Sequence, residues 1–164
     1  MNSALMRQLA AAPAADLGRG SVANTVATFI VGFDTEGRCV LWKFRFKDGR
    51  EALFVLAPAT AIHFTKNMRR QVRKRRWADT EPAIDVPVLT QADWDTYQVA
   101  ITAYRVEAFD DAVVIAFPGE RELFQAIRLS PALAVRLADL HWDEIQKGKL
   151  RESVAERPPQ GARP

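Results

Sequence analysis

Residues 50–77, REALFVLAPATAIHFTKNMRRQVRKRRW, contain a short apolar strand, a Leu-Ala-Pro turn and a helix with a basic end. We expect the helix to begin near Pro58, because proline is favoured in a first turn, where its missing N–H has no intrahelical partner anyway. The residues at i, i+3, i+4 spacing predict the buried face of this helix. They are Ala61, Phe64, Thr65, Met68 and Val72.

The same pattern returns at residues 121–147, RELFQAIRLSPALAVRLADLHWDEIQK. Residues 54–75 align with residues 127–148, and Leu56, Pro58, Ala59, Ala61 and Lys74 match Leu129, Pro131, Ala132, Ala134 and Lys147. The sequence therefore predicts an α+β fold of two tandem strand–strand–strand–helix repeats with approximate pseudo-two-fold symmetry, antiparallel sheets and helices on one face. The alternative is two ordinary β-to-helix units that both use a proline at the first turn.

In element order, this arrangement resembles the duplicated sheet–helix modules of PUR-type nucleic-acid-binding proteins. Those modules have four strands in each repeat, whereas three are predicted here. No sequence motif accompanies the resemblance, so it concerns topology alone.

The strand at residues 38–46 shows a clear alternation. Val40, Trp42, Phe44 and Phe46 lie on one side, and the other side carries Leu41, Lys43, Arg45 and Lys47. This pattern predicts one buried face and one wet, largely basic face. The turns at 34–37 and 48–49 contain glycine and predict hairpins on either side, which makes the first half an antiparallel meander.

The chain divides into five predicted segments. Residues 1–20 form a flexible N-terminal arm, 21–77 the first repeat, 78–95 a linker and 96–148 the second repeat. Residues 149–164 have the composition of a disordered tail. Within the second repeat, we expect one strand over 96–109, a second over 112–117 and a third over 121–129, followed by a helix from Pro131 to Gln146. Gly148 is the expected stop of this helix.

Composition excludes several classes of protein. The chain has 164 residues, one cysteine and two histidines, too few of either for a disulfide framework or a standard zinc site. No apolar run approaches the roughly 20 residues of a membrane span, and the apolar run near the N-terminus is too short for a signal peptide. We therefore expect a cytoplasmic protein of bacterial type, with no cofactor, no metal and no membrane contact.

Charge is distributed unevenly along the chain. Residues 38–77 contain twelve Lys or Arg residues against two Asp or Glu residues, whereas residues 78–145 contain four against thirteen. The basic helix and the wet strand face predict one binding surface, which Trp77 could extend by stacking. Its candidate residues are Lys43, Arg45, Lys47, Lys66, Arg69, Arg70, Arg73, Lys74, Arg75, Arg76 and Trp77.

These features favour a binding module over an enzyme. The expected partner is a protein chain, including a second copy of this one in a homodimer, joined through opposite charges. The alternative partner is DNA or RNA, because clustered cations release counterions from a phosphate backbone. A third reading leaves the helix as a solvated face that pairs with the acidic second half.

Catalytic candidates are weak. His141 falls on the apolar stripe of its helix, at the position of Met68, and is expected to be a packed histidine. His63 is expected to be an exposed helix residue. Cys39 fits a half-buried thiol, and Asp139 and Asp143 lie on one outer helix face. No nucleophile motif accompanies them.

Overall fold

The structure is a computed structural model that describes residues 3–34, 39–78, 82, 85–96, 98–118, 124–148 and 150. These residues form five α-helices and seven strands in two sheets, which confirms the α+β class. The helices are α1 (Ser3–Ala11), α2 (Ala14–Gly20), α3 (Pro58–Lys74), α4 (Gln91–Asp95) and α5 (Pro131–Gln146). The strands are β1 (Val26–Phe33), β2 (Val40–Phe46), β3 (Glu51–Leu56), β4 (Val99–Ala100), β5 (Arg105–Ala108), β6 (Val113–Pro118) and β7 (Phe124–Leu129).

The first sheet has the strand order β1-β2-β3-β4 and the second has the order β5-β6-β7. All pairs are antiparallel except β3 and β4, which run parallel. A single parallel bridge between Thr25 and Arg128 joins the two sheets within the described residues. The predicted hairpin at 48–49 is confirmed, because Gly49 has a φ of 91° and its N–H donates to Phe46 O at 2.9 Å.

Helices α3 and α5 pack side by side over the inner faces of the two sheets. Helix α3 begins at Pro58 as predicted, and the whole predicted stripe is buried. Trp42 of β2 lies beneath both helices, because its ring contacts Phe64 of α3 and His141 of α5. The inner layer therefore joins both halves of the chain in one core.

The alternation predicts that the outer face of β2 is wet. This prediction is wrong, because the linker covers part of that face. Leu41 has no exposed surface. Lys43 Nζ donates to Val88 O and to Asp93 Oδ2, both at 3.0 Å. Within the linker, α4 begins with a capping box between Thr90 and Asp93.

Helices α1 and α2 cover the outer face of the second sheet. The sequence predicts a flexible arm here and helices on one face only. Instead, Leu9 and Leu17 are buried against Val114 and Ala116 of β6. Successive residues of a strand point to opposite faces, so these contacts lie on the side opposite α5. Arg105 also donates to Leu9 O at 3.0 Å. The apolar outer side of β6 explains the difference, since it needs a cover.

The single strand predicted over 96–109 is wrong. Two strands form instead, and they belong to different sheets: β4 pairs with β3, whereas β5 pairs with β6. Gly148 does follow the end of α5 with a φ of 75°, as predicted.

Some expectations lie outside the described residues. The turn predicted at 34–37 includes 35–37, and the third strand predicted from 121 includes 121–123. The tail predicted to be disordered is described only at Leu150, which is buried.

Candidate functional site

Five cations lie on or next to the exposed face of α3. Lys66, Arg70, Arg73 and Lys74 follow one another at helical spacing, and Arg76 comes directly after the helix. All five side chains are exposed, and none forms a salt bridge with a residue in the described part of the chain. We call these five residues the cationic row.

Arg69 faces the neighbouring helix. Its guanidinium carbon lies 3.7 Å from the ring centroid of Trp142 on α5, which is the geometry of a cation–π contact. Burial lowers the pKa of Arg69, and the nearby charge of Arg73 adds to that effect, while Asp139 opposes it. Arg69 therefore joins α3 to α5 and belongs to the scaffold beneath the row.

Arg75 and Trp77 are also engaged within the molecule. Arg75 donates to Ala108 O at 2.9 Å and to Asp110 Oδ1 at 3.3 Å. Trp77 is partly buried against the main core, and its ring lies 5.6 Å from the Arg75 guanidinium. The structure thus leaves less of Trp77 open for stacking than the sequence suggests.

The three strand residues of the predicted surface do not join the row. Lys43 is paired with Asp93, and Arg45 is paired with Glu51 at 2.9 Å and donates to Asp85 O at 3.0 Å. Both lie on the outer face of the first sheet, opposite α3, because they alternate with the inward Trp42. Lys47 is exposed at the end of β2. The sheet therefore divides the predicted basic surface into two separate regions.

Tyr104 is a neighbour of the row that sequence reasoning missed. Its hydroxyl lies 2.6 Å from Nδ1 of the exposed His63, at the side of α3. Burial raises the pKa of Tyr104 to about 12, although the charge of Arg70 opposes this rise. Tyr104 is thus a neutral phenol at physiological pH. It lies in an irregular segment between β4 and β5, where no periodic pattern marks it.

The catalytic candidates do not converge. His141 is fully buried, as expected for a packed histidine, and burial lowers its pKa to about 3. His63 is exposed as predicted. Cys39 is half-buried, and its thiol pKa is raised first by burial and then by the charge of Asp34. Among the residues that the structure describes, no group of three or more His, Cys, Asp or Glu could hold a metal ion.

No protein-family model matches the chain, and no curated protein matches it. Within the described ranges, no helix combines the length and apolarity needed to cross a membrane. The functional reading therefore depends on the geometry of the cationic row.

Proposed function

We propose that the protein is a non-enzymatic nucleic-acid-binding module that contacts phosphates with the cationic row. Of the two partner classes that the sequence leaves open, DNA or RNA fits this surface better than a protein does. The observation that carries the proposal is the exposed face of α3, which presents five cations that form no salt bridge with any residue the structure describes. Such an array gains free energy by releasing counterions from a phosphate backbone.

The composition of this surface distinguishes the two partner classes. Residues 58–78 are all described, and none of them is an exposed large apolar residue. Elsewhere in the described chain, the residues of this kind are Val22, Val86, Val88 and Leu140. The centre of a protein–protein interface is usually apolar and depleted in charge, whereas protein–nucleic acid interfaces are polar and strongly positive. The row has the second composition.

Pairing of the row with α5 of a second copy is less favourable. Helix α5 exposes Asp139 and Asp143, which could attract the row. The same helix also carries Arg136, and Lys147 follows at its end, 3.7 Å from Glu144. These cations reduce the negative charge of α5, so this helix is a weak complement to the five cations of the row.

The proposal is tested by fluorescence anisotropy with a labelled oligonucleotide over a series of salt concentrations. Arg70→Gln and Arg73→Gln each remove one exposed cation. Each should make the negative slope of log K against log salt shallower by about 0.7 to 0.9. Arg69 is a poor choice for this test because its loss also breaks the contact with Trp142. Arg7→Gln is the matched control, since Arg7 is exposed on α1, across the second sheet from α5.

Two results would remove the proposal. One is the absence of any anisotropy change at low salt. The other is an equal change of slope for Arg7→Gln and Arg70→Gln, which would show that net charge alone matters. Unchanged thermal unfolding of the variants would confirm that the fold is intact.

Self-association is the second candidate, and one observation favours it. Leu140 on α5 is 37% exposed and lies between the exposed Asp139 and Asp143. An apolar residue with acidic neighbours could meet the row of a second copy reciprocally, as a two-fold interface requires. Light scattering should then show a dimer that dissociates at high salt and is weakened by Leu140→Ser. A monomer at high protein concentration argues against it.

We also propose that the two βββα units are copies of one structural unit. One constant shift in residue number relates Pro58 to Pro131. The same shift relates the bounds of β3 to those of β7, the start of β2 to that of β6, and the start of α3 to that of α5. Met68 and His141 hold corresponding places and are both fully buried. Superposition of residues 40–45 and 51–74 on residues 113–118 and 124–147 tests the relation, and divergent helix orientations would contradict it.

A further inference from the structure

A cavity opens where the two sheets separate. The bridge between Thr25 and Arg128 joins them once. Beyond this bridge, β1 continues through an irregularity in register between Val26 and Thr28, while the chain after β7 turns into α5. The strands therefore diverge and leave a cavity of about 240 Å³. Residues from both halves of the chain line it.

The lining combines apolar groups, hydroxyl groups and charges of both signs. Val26, Ala112 and Leu133 contribute apolar surface, and all three are buried. Lys47 and Arg128 contribute two positive charges, and Asp111 contributes one negative charge. An apolar wall with a few convergent polar groups is the usual composition of a small-molecule site.

The two cations are differently placed. Lys47 forms no salt bridge within the described part of the chain, although its backbone N–H donates to Thr25 O at 2.9 Å and fixes the residue beside the bridge. Arg128 pairs with Asp111 at 2.9 Å, but the Asp111 side chain is 75% exposed. Ion pairs with an exposed partner contribute little to stability. An incoming anion can therefore compete with Asp111 for Arg128 while Lys47 remains available.

We propose that this cavity binds a small organic anion, with Lys47 and Arg128 holding a carboxylate or phosphate group and the apolar wall at Leu133 contacting the rest of the molecule. The volume of about 240 Å³ lies below the usual range for small-molecule sites, so it fits only a small anion such as phosphate or a short carboxylate. Lys47 was one of the cations that the row on α3 did not include, and this site gives it a separate role. Neither site requires the other.

The site is tested by NMR titration of the full chain with inorganic phosphate and, separately, with propionate, at constant ionic strength. Saturable shifts are expected for the amides of Thr25, Ala112 and Leu133, and the probe that binds more tightly identifies the preferred head group. Lys47→Gln should weaken this binding by about tenfold or more, since hydrogen bonds to charged groups contribute strongly. Arg7→Gln, which makes the same charge change on α1, should leave the binding unchanged.

Several outcomes would overturn the proposal. They are shifts that do not saturate with either probe, phosphate shifts confined to α3, and an equal loss of binding in Lys47→Gln and Arg7→Gln. Lys47 is exposed, so its replacement should not unfold the chain. Arg128→Gln provides a second variant: it should weaken binding of the same probe while the amide spectrum remains that of a folded protein.

Discussion

The indole N–H of Trp42 on β2 donates a hydrogen bond of 2.9 Å to Nε2 of His141 on α5, and neither residue has exposed surface. Because Nε2 accepts this bond, the ring proton of His141 lies on Nδ1. Nδ1 has no hydrogen-bond partner among the described residues. The pair therefore links the first sheet to the helix of the second half through a neutral histidine.

Replacing Trp42 by phenylalanine should destabilise the protein. The change leaves Nε2 of His141 buried without a donor and leaves part of the indole volume empty, so the free energy of unfolding should fall by about 2–4 kcal/mol. Urea denaturation measures this change. Trp77→Phe is the control, because Trp77 is only partly buried, and equal losses in the two variants would contradict the role given to the hydrogen bond.

Stability should fall as the pH is lowered from about 6.5 towards 3. The pKa of His141 is about 3 in the folded protein, below its ordinary value of 6.5. Between these values the unfolded chain binds a proton that the folded chain does not, so His141 reduces the free energy of unfolding by up to about 1.4 kcal/mol for each pH unit. Urea midpoints measured across this range should fall less steeply for His141→Met. Parallel curves would contradict the prediction.

Gly32→Ala should destabilise the contact between β1 and the linker. A Cβ atom at Gly32 would overlap Leu89 Cδ1, the end of a flexible side chain, and would lie 3.0 Å from Trp94 Cζ2 on a rigid ring, so Leu89 would have to shift and Trp94 would have to give. We expect a loss of about 1–3 kcal/mol in the free energy of unfolding, as in other overpacked sites. The double variant with Leu89→Ala should lose less free energy of unfolding than the sum of the losses in the two single variants. Strictly additive losses would show that Leu89 is not the source of the strain.

Leu9→Ala should cost about 2–4 kcal/mol in the free energy of unfolding, the usual range for a buried leucine. Leu9 is 1% exposed against the second sheet. Arg7→Ala, on the exposed side of the same helix, should change stability by less than about 0.5 kcal/mol. Thermal and urea unfolding compare the two variants. If both variants have a negligible effect, residues 1–20 behave as the flexible arm that the sequence predicts.

The parts of the fold that the sequence predicted correctly have strong local signals. Pro58 and the helical stripe placed α3, and the alternation from Val40 to Phe46 placed β2. The parts it missed depend on contacts between distant segments. Nothing near Leu9 in the sequence reveals that the outer side of β6 needs a cover, and nothing at 96–109 shows that the strand changes sheets.

The candidate site was predicted only in part, for a related reason. Lys66, Arg70 and Arg73 were found because helical periodicity separates exposed from buried positions. Lys43 and Arg45 were predicted to be wet, but Lys43 pairs with Asp93, and Arg45 contacts Glu51 and the Asp85 carbonyl. These partners become clear only from the positions of the linker and β3 in the fold. The cavity beside Lys47 depends on the divergence of two sheets, which no single stretch of sequence encodes.

The burial of α1 on β6 also affects the order in which the chain can fold during synthesis. Leu9 accepts a hydrogen bond from Arg105, 96 positions later, and its side chain packs on strands that are later still. Contacts between such distant residues form slowly, because a long loop must close first. Leu9 and Leu17 must therefore stay exposed to water, or be covered by a chaperone, until the second sheet has left the ribosome. Helices α1 and α2 are made before this sheet and are buried only once it is in place.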